Sequence, residues 1–356
     1  MPALPHPWSQ YPTPEALDRA WHALTAVVGG RASVAGTSVE GRPIHAFDLG
    51  NPAGSPVLLS GLMHGVEVVG ALALLDFVRG VIEGPRGDLL RDARLVVIPV
   101  VNPDAYHENC TRLLHGRSAF QRCNARGVDL NRNFPRLRQR MPWNPLGGSR
   151  FPLSPHYVGP APLSEPESRA LHAVADALRP RVSLAFHSFG ELLLYPWAYT
   201  SRPNPKRDVY QRAGRAFVKG LQGPQYRVMQ ATDWYATVGD MDDWLDAAYG
   251  TLAFTVEVSR PMRRLANARR WSNPFAWSNP VDVDGAVHGV GAGADALVRE
   301  SLAAYRGGRR RFDPHAAPYV KPSPTPPTAP TAPTASRSRS KSVRKWRNSS
   351  TSSSRV

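Results

Sequence analysis

The sequence predicts an α/β fold: a mixed, mainly parallel twisted sheet flanked by helices, in a single domain. Three observations lead there. Short apolar runs of strand length occur at residues 56–60, 94–101, 182–186 and 252–258. Helical patterns follow or separate them, up to about residue 82 and over 165–178, 209–221 and 294–305. The residues best suited to chemistry, His64, His187 and Glu257, fall at or near the carboxyl ends of apolar runs, where open α/β sheets place their sites.

Taken in order, residues 11–28 read as an amphipathic helix, with Thr13 as its cap and Pro14 in its first turn. The strand at 56–60 runs into the loop Gly61-Leu62-Met63-His64-Gly65 and then a helix. That helix is apolar from Leu72 to Ile82 but is interrupted by Asp76 and Arg79, and it falls short of the ~20 apolar residues of a membrane span, so it reads as a buried helix. The strand at 94–101 ends in Asn102-Pro103-Asp104. Residues 105–162 are polar and rich in Arg, Gly and Pro, which predicts functional loops rather than a plain connection. Helix, strand, helix, strand and a final helix complete the chain, and there is no internal repeat.

The chain has 356 residues, 42% of them hydrophobic, which is enough for a sizeable core. Its net charge of +16 raises the question of nucleic acid, and the location of that charge answers it. Eight Lys or Arg and no acid lie between Lys321 and the end, so half of the net charge sits in a segment of Pro-Thr-Ala and Ser-Arg repeats. Such a composition cannot bury a core, which predicts a catalytic domain over 1–313 and a disordered basic tail over 314–356. Any contact with nucleic acid is expected through the tail alone. The opening residues lack the basic start and apolar run of a secretory signal, giving a cytoplasmic expectation. Cys110 and Cys123 make no disulfide framework and are expected as free thiols.

Four pieces carry the chemistry: His64-Gly65-Val66-Glu67, Gly127-Val128-Asp129-Leu130-Asn131-Arg132-Asn133-Phe134, His187-Ser188 and Glu257. A catalytic zinc wants three protein ligands and one open position. His64 and Glu67 are close enough in sequence to ligate one ion, with His187 as the distant third ligand. Asp129 is suited to accept the second ring N–H of a ligand histidine. Asn131 and Arg132 pair a directed amide with a guanidinium fork, which fits a carboxylate. Singly each has a plainer reading: a capping His64, a core His187, a loop-capping Asp129, a solvated Arg132. In this order and at these separations the pieces support one another.

From about Val39 to Val258 the sequence resembles the zinc metallocarboxypeptidase family, which includes the pancreatic and regulatory carboxypeptidases. The resemblance implies that fold, one Zn2+ on His64, Glu67 and His187, and hydrolysis of a peptide substrate that ends in a free carboxylate held by Asn131 and Arg132. It implies that Glu257 is the general base towards zinc-bound water and that Arg122, in Gln121-Arg122-Cys123-Asn124, stabilises the oxyanion, with Arg117 as a competitor. Tyr235 matches a mobile substrate-contacting tyrosine, and Ser188 and Gly190 line the same cleft. Asp242 falls where the family sets side-chain preference, and an acid there goes with C-terminal Lys or Arg, although Asp240 and Asp243 crowd the same turn. Gly65-Val66 departs from the pancreatic pattern, which has an arginine-bearing pair there. Nothing resembling a prodomain precedes this region, so an enzyme active as made, acting as a monomer, is expected. Two other readings stay open: a bacterial peptidase for cell-wall peptides carrying diaminopimelate, and a non-catalytic zinc-binding pseudoenzyme.

Overall fold

The structure, a computed structural model, describes residues 3–137, 144–223, 225–260 and 273–306. Eight strands form one sheet: β1 (Arg31–Thr37), β2 (Pro43–Gly50), β3 (Ser55–Gly61), β4 (Ala93–Ile98), β5 (Val182–Ser188), β6 (Leu192–Tyr195), β7 (Arg227–Gln230) and β8 (Leu252–Val258). Their spatial order is β1-β2-β4-β3-β5-β8-β6-β7. The central strands β4, β3, β5 and β8 run parallel, β1 and β2 add an antiparallel edge, and β6 returns antiparallel to β8 with β7 parallel beside it.

The central strands are buried on both faces, and their alternation sorts side chains by size. Val57, Leu59, Leu184, Phe186, Leu252, Phe254 and Val256 meet one core with α2 (Val68–Ile82) and α6 (Arg207–Gly220). On the opposite face Leu58, Ala185 and Ala253 pack with α5 (Pro166–Leu178) and α7 (Met241–Tyr249), whose Leu171, Trp244 and Leu245 fill the room the alanines leave. Covering both faces explains why these strands read as near-continuous apolar runs. Helix α1 (Pro14–Val27) starts as the sequence predicts, with Thr13 accepting from the Ala16 N–H and Pro14 at the first position. Among the described residues after β8 are three helices: α8 (Phe275–Ser278), α9 (Val283–Val287) and α10 (Val290–Arg306). A single turn, α3 (Leu89–Asp92), precedes β4.

The sheet register is what places chemistry side by side. His187 on β5 pairs directly with Glu257 on β8, and Gly61 at the end of β3 pairs with Phe186. Paired residues in a parallel ladder point to the same side, so the last turns of three strands deliver one group of side chains.

Two expectations need correction. The stretch expected to be loops from 105 onward opens with a three-turn helix, α4 (Pro103–Leu114). The Asn102 side chain accepts from the Ala105 N–H, Pro103 occupies the first helical position, and Ala105, Tyr106, Asn109, Cys110 and Leu113 recur on one buried face. The strand expected over 94–101 stops at Ile98, because Pro99 and the cap of α4 take over the chain. Both cysteines are buried and unpaired to one another, as the free-thiol expectation had it. Residues 307–356, which include the whole of the basic tail, lie outside the described residues.

Candidate metal centre and active site

His64 and Glu67 sit in the turn between β3 and α2, with Glu67 immediately before the first helical residue. The turn is held tightly. A Cβ on Gly65 would lie 2.3 Å from the Ala105 side chain of α4, so only glycine lets the loop rest there. A Cβ on Gly70, in the first turn of α2, would lie 2.9 Å from the His187 carbonyl oxygen.

The ligand atoms of His64, Glu67 and His187 lie within 4.8 Å of one another, and all three residues are buried. His64 Nδ1 is 2.9 Å from Glu67 Oε1, His187 Nδ1 is 2.8 Å from Glu67 Oε2, and the two ring nitrogens are 3.2 Å apart. Ligand atoms ~2.0–2.1 Å from a tetrahedral zinc stand about 3.3 Å from each other, so two imidazoles and a carboxylate arranged in this way fit one such ion. Outside the triad, His64 Nε2 lies 3.0 Å from Asp129 Oδ1, which fixes the ring with Nδ1 turned inward. Burial raises the Glu67 carboxyl, and the charges and hydrogen bonds of the two histidines outweigh it and hold it below the ordinary carboxylate range. Burial keeps His187 below its usual value and therefore neutral, the form that ligates metal.

Arg122 spans the triad and its support: Nη1 donates to Glu67 Oε1 at 3.1 Å and Nη2 to Asp129 Oδ2 at 3.1 Å. Arg117 is exposed and does not line the cavity that Arg122 faces. Burial works against ionisation of Asp129, and Arg122, Arg132 and His64 pull its carboxyl well below the usual range.

The triad opens on a cavity of about 180 Å³ lined also by Arg122, Asn131, Arg132, Tyr235, Asp242 and Glu257. Asn131 is locked, its amide donating to Asp240 Oδ2 and accepting from the Met241 N–H. Arg132 Nη1 donates to its neighbour's carbonyl at 2.7 Å, and Nη2 lies 3.5 Å from the Tyr235 hydroxyl. The Arg132 backbone presses on Gly239, whose φ of +67° also calls for glycine. Five residues lining the cavity each hold a buried polar atom with no hydrogen-bond partner among the described residues: Arg132 Nε, Ser188 Oγ, Thr237 Oγ1, Asp242 Oδ1 and Glu257 Oε2. Buried polar groups are ordinarily paired, so these atoms are open to a partner from the cavity. Burial, and next the Glu67 charge, push the Glu257 carboxyl well above its usual range.

The acidic segment around Asp242 opens a helix: Asp242 is the second residue of α7, and Asp240 caps that helix by accepting from the Asp242 and Asp243 N–H groups. Asp242 Oδ2 accepts from Thr255 Oγ at 2.7 Å, and Asp243 accepts from the Ala198 N–H. Thr255, His156 and Trp234 are site residues that the sequence analysis does not single out. Thr255 had a signal, since it stands two residues before Glu257 and shares its side of the strand. His156, 3.4 Å from Asp129, had none.

Comparison with known proteins agrees with this arrangement. The family profile described as zinc carboxypeptidase matches residues 30–269. Carboxypeptidase B of Astacus astacus is 28% identical over 268 residues, covering 70% of this chain and 87% of that protein. Carboxypeptidase A6 of Mus musculus is 32% identical over 231 residues, covering 59% of this chain and 50% of that protein. Apart from the Astacus protein, the first curated relatives are longer, and the matched region spans between 50% and 59% of their length. In fold, carboxypeptidase A of Helicoverpa armigera superposes with a TM-score of 0.68 at 22% identity, covering 83% of this chain and 75% of that one. Bovine thrombin-activatable fibrinolysis inhibitor gives 0.67 at 19% identity, over 84% of this chain and 98% of that one. The profile match over residues 30–269, which takes in His64, Glu67 and His187, makes this chain a member of the zinc carboxypeptidase family.

Proposed function

We propose that this protein is a zinc carboxypeptidase that removes the last residue of a peptide, with a preference for C-terminal Lys or Arg. The observation that carries the reading is the composition of one cavity: a metal-type triad, a guanidinium–amide pair, and a buried carboxylate with an oxygen that no described residue engages.

Zinc on His64, Glu67 and His187 would supply Lewis acidity, lowering the pKa of a coordinated water towards neutrality. The remaining work belongs to the chain. Glu257 takes the proton from the attacking water and delivers it to the departing amine, a task suited to a carboxyl whose proton affinity burial has raised. Asn131 and Arg132 hold the terminal carboxylate and so choose the last peptide bond. Arg122 keeps two guanidinium N–H groups beyond those on Glu67 and Asp129, and these serve the carbonyl oxygen as it gains charge. Tyr235 closes over the carboxylate site from the side of Arg132.

Asp242 supports the side-chain preference. Asp242 lines the cavity, Thr255 fixes one of its carboxylate oxygens, and no described residue engages the other. An incoming Lys or Arg supplies the missing partner, and an apolar end leaves a buried carboxylate unpaired. The test is hydrolysis of blocked dipeptides ending in Arg, Lys, Phe, Leu or diaminopimelate, with and without a zinc chelator. Chelator-sensitive release of Arg and Lys supports the reading. Release of Phe or Leu in preference removes Asp242 as selector, and release of diaminopimelate alone turns the assignment to cell-wall peptides. Absence of release from all five, with zinc bound, favours a zinc-binding pseudoenzyme.

A further inference from the structure

We propose that Asp18, His22 and His45 form a second metal site, distinct from the catalytic triad and suited to a divalent ion of the zinc, nickel and copper class. Asp18 and His22 stand one turn apart on α1, and β2 brings His45 beneath them. The ligand atoms of all three fall within 4.8 Å, the only such cluster besides the triad among the described residues. Both histidines aim at the same oxygen, Asp18 Oδ1: His45 Nδ1 at 2.6 Å and His22 Nε2 at 3.7 Å.

The second distance is the informative one. One imidazole is enough to satisfy that oxygen, and 3.7 Å is too long for His22 to be held by a hydrogen bond. It is close to the separation of about 3.3 Å between two ligands on one small ion, so His22 needs only a slight turn to share a metal with Asp18. The rings are already set for this. His22 and His45 meet edge-on at 81° with centroids 5.2 Å apart, and His22 packs edge-on against Phe47, which holds it over the strand. Two imidazoles and one carboxylate are a donor set that suits zinc, nickel and copper over calcium or magnesium. Side-chain exposures of 46%, 42% and 24% for His22, Asp18 and His45 leave room for coordinated water.

Asp18 and His45 also border a cavity of about 430 Å³ that includes Trp21, Arg42 and His107 and shares no residue with the catalytic cavity. A bound ion would join α1 to the sheet without touching the reaction. The test is equilibrium dialysis of the full chain against Zn2+ with bound zinc counted by elemental analysis, beside His22→Asn and His45→Asn. The parent is expected to take up one equivalent more than either variant. Affinity for that equivalent should fall about tenfold or more in each, at least what loss of a group merely hydrogen-bonded to a metal ligand costs. Peptide hydrolysis by the variants should match the parent. Equal zinc uptake by parent and variants overturns the proposal. Should His45→Asn disturb folding, the half-exposed His22→Asn decides alone. A second reading comes from melting: added Zn2+ raises the parent's Tm more than that of His22→Asn, because a ligand of the folded state stabilises it. Equal rises overturn the proposal as well.

Discussion

At the scale of the residue, Glu257 and Asp242 carry the clearest expectations. Glu257→Gln keeps shape and removes the proton acceptor, so kcat should fall by about 1,000-fold while one zinc per chain is retained. Steady-state kinetics beside metal analysis checks both halves. Asp242 and Asp243 make a different prediction, about pH. Burial, and next the charge of Asp240, raise both carboxyls well above their ordinary 3.8 in the folded chain. A carboxyl raised on folding binds its proton more tightly in the native state, so its contribution is most favourable at low pH and is lost as pH rises from the ordinary value through the raised one. Denaturation midpoints of Asp242→Asn relative to the parent should therefore improve as pH rises above the ordinary carboxylate range. Binding of a peptide ending in Arg should also release protons from this cluster, visible as a buffer-dependent heat.

Contiguous motifs were the most legible part of the site. His64 with Glu67, and Asp129 with Asn131 and Arg132, are each held within a few residues of chain, so their spacing already constrains their geometry. His156 was not legible in this way. It reaches the site across the fold, and a polar residue in a loop looks the same in sequence whether it faces water or a buried partner.

At the scale of the element, the buried strands were legible because burial on both faces writes an unbroken apolar run, as in β3, β5 and β8. Edge strand β1 is mostly exposed, and β6 and β7 have four residues each, so none has a pattern long enough to read. Helix α4 was different. Its cap and first-turn proline stood in plain view as Asn102-Pro103, and the polar residues after them obscured the signal. The contact of that helix with the metal loop yields a prediction. Gly65→Ala places a methyl group 2.3 Å from Ala105, so either α4 or the His64 turn must move. We expect a loss of about 1–3 kcal/mol in stability, as for other overpacked sites. Zinc should also bind more weakly, measured by competition with a chromogenic chelator.

At the scale of the whole molecule, the sheet is common to the family while the basic end of the chain is read from the sequence alone. We propose that catalysis belongs to residues 1–313 and that the charge in 314–356 is separable from it. A chain truncated after Asp313 should hydrolyse peptides as the full chain does and lose salt-sensitive retention on nucleic acid or heparin. Retention that survives truncation would place the attracting charge in the catalytic domain instead. No helix among the described residues is long and apolar enough to cross a membrane.

The pairing of His187 with Glu257 also bears on how the chain comes to life. These residues are distant in sequence, and His64 joins them from an earlier strand still, so the site closes only when β3, β5 and β8 have found one register. Contacts of such wide separation form slowly, and a slip of one residue would turn His187 and Glu257 to opposite sides of the sheet. During synthesis His64 and Glu67 emerge long before His187. If these residues act as proposed, activity is withheld from the growing polypeptide until its central strands have closed.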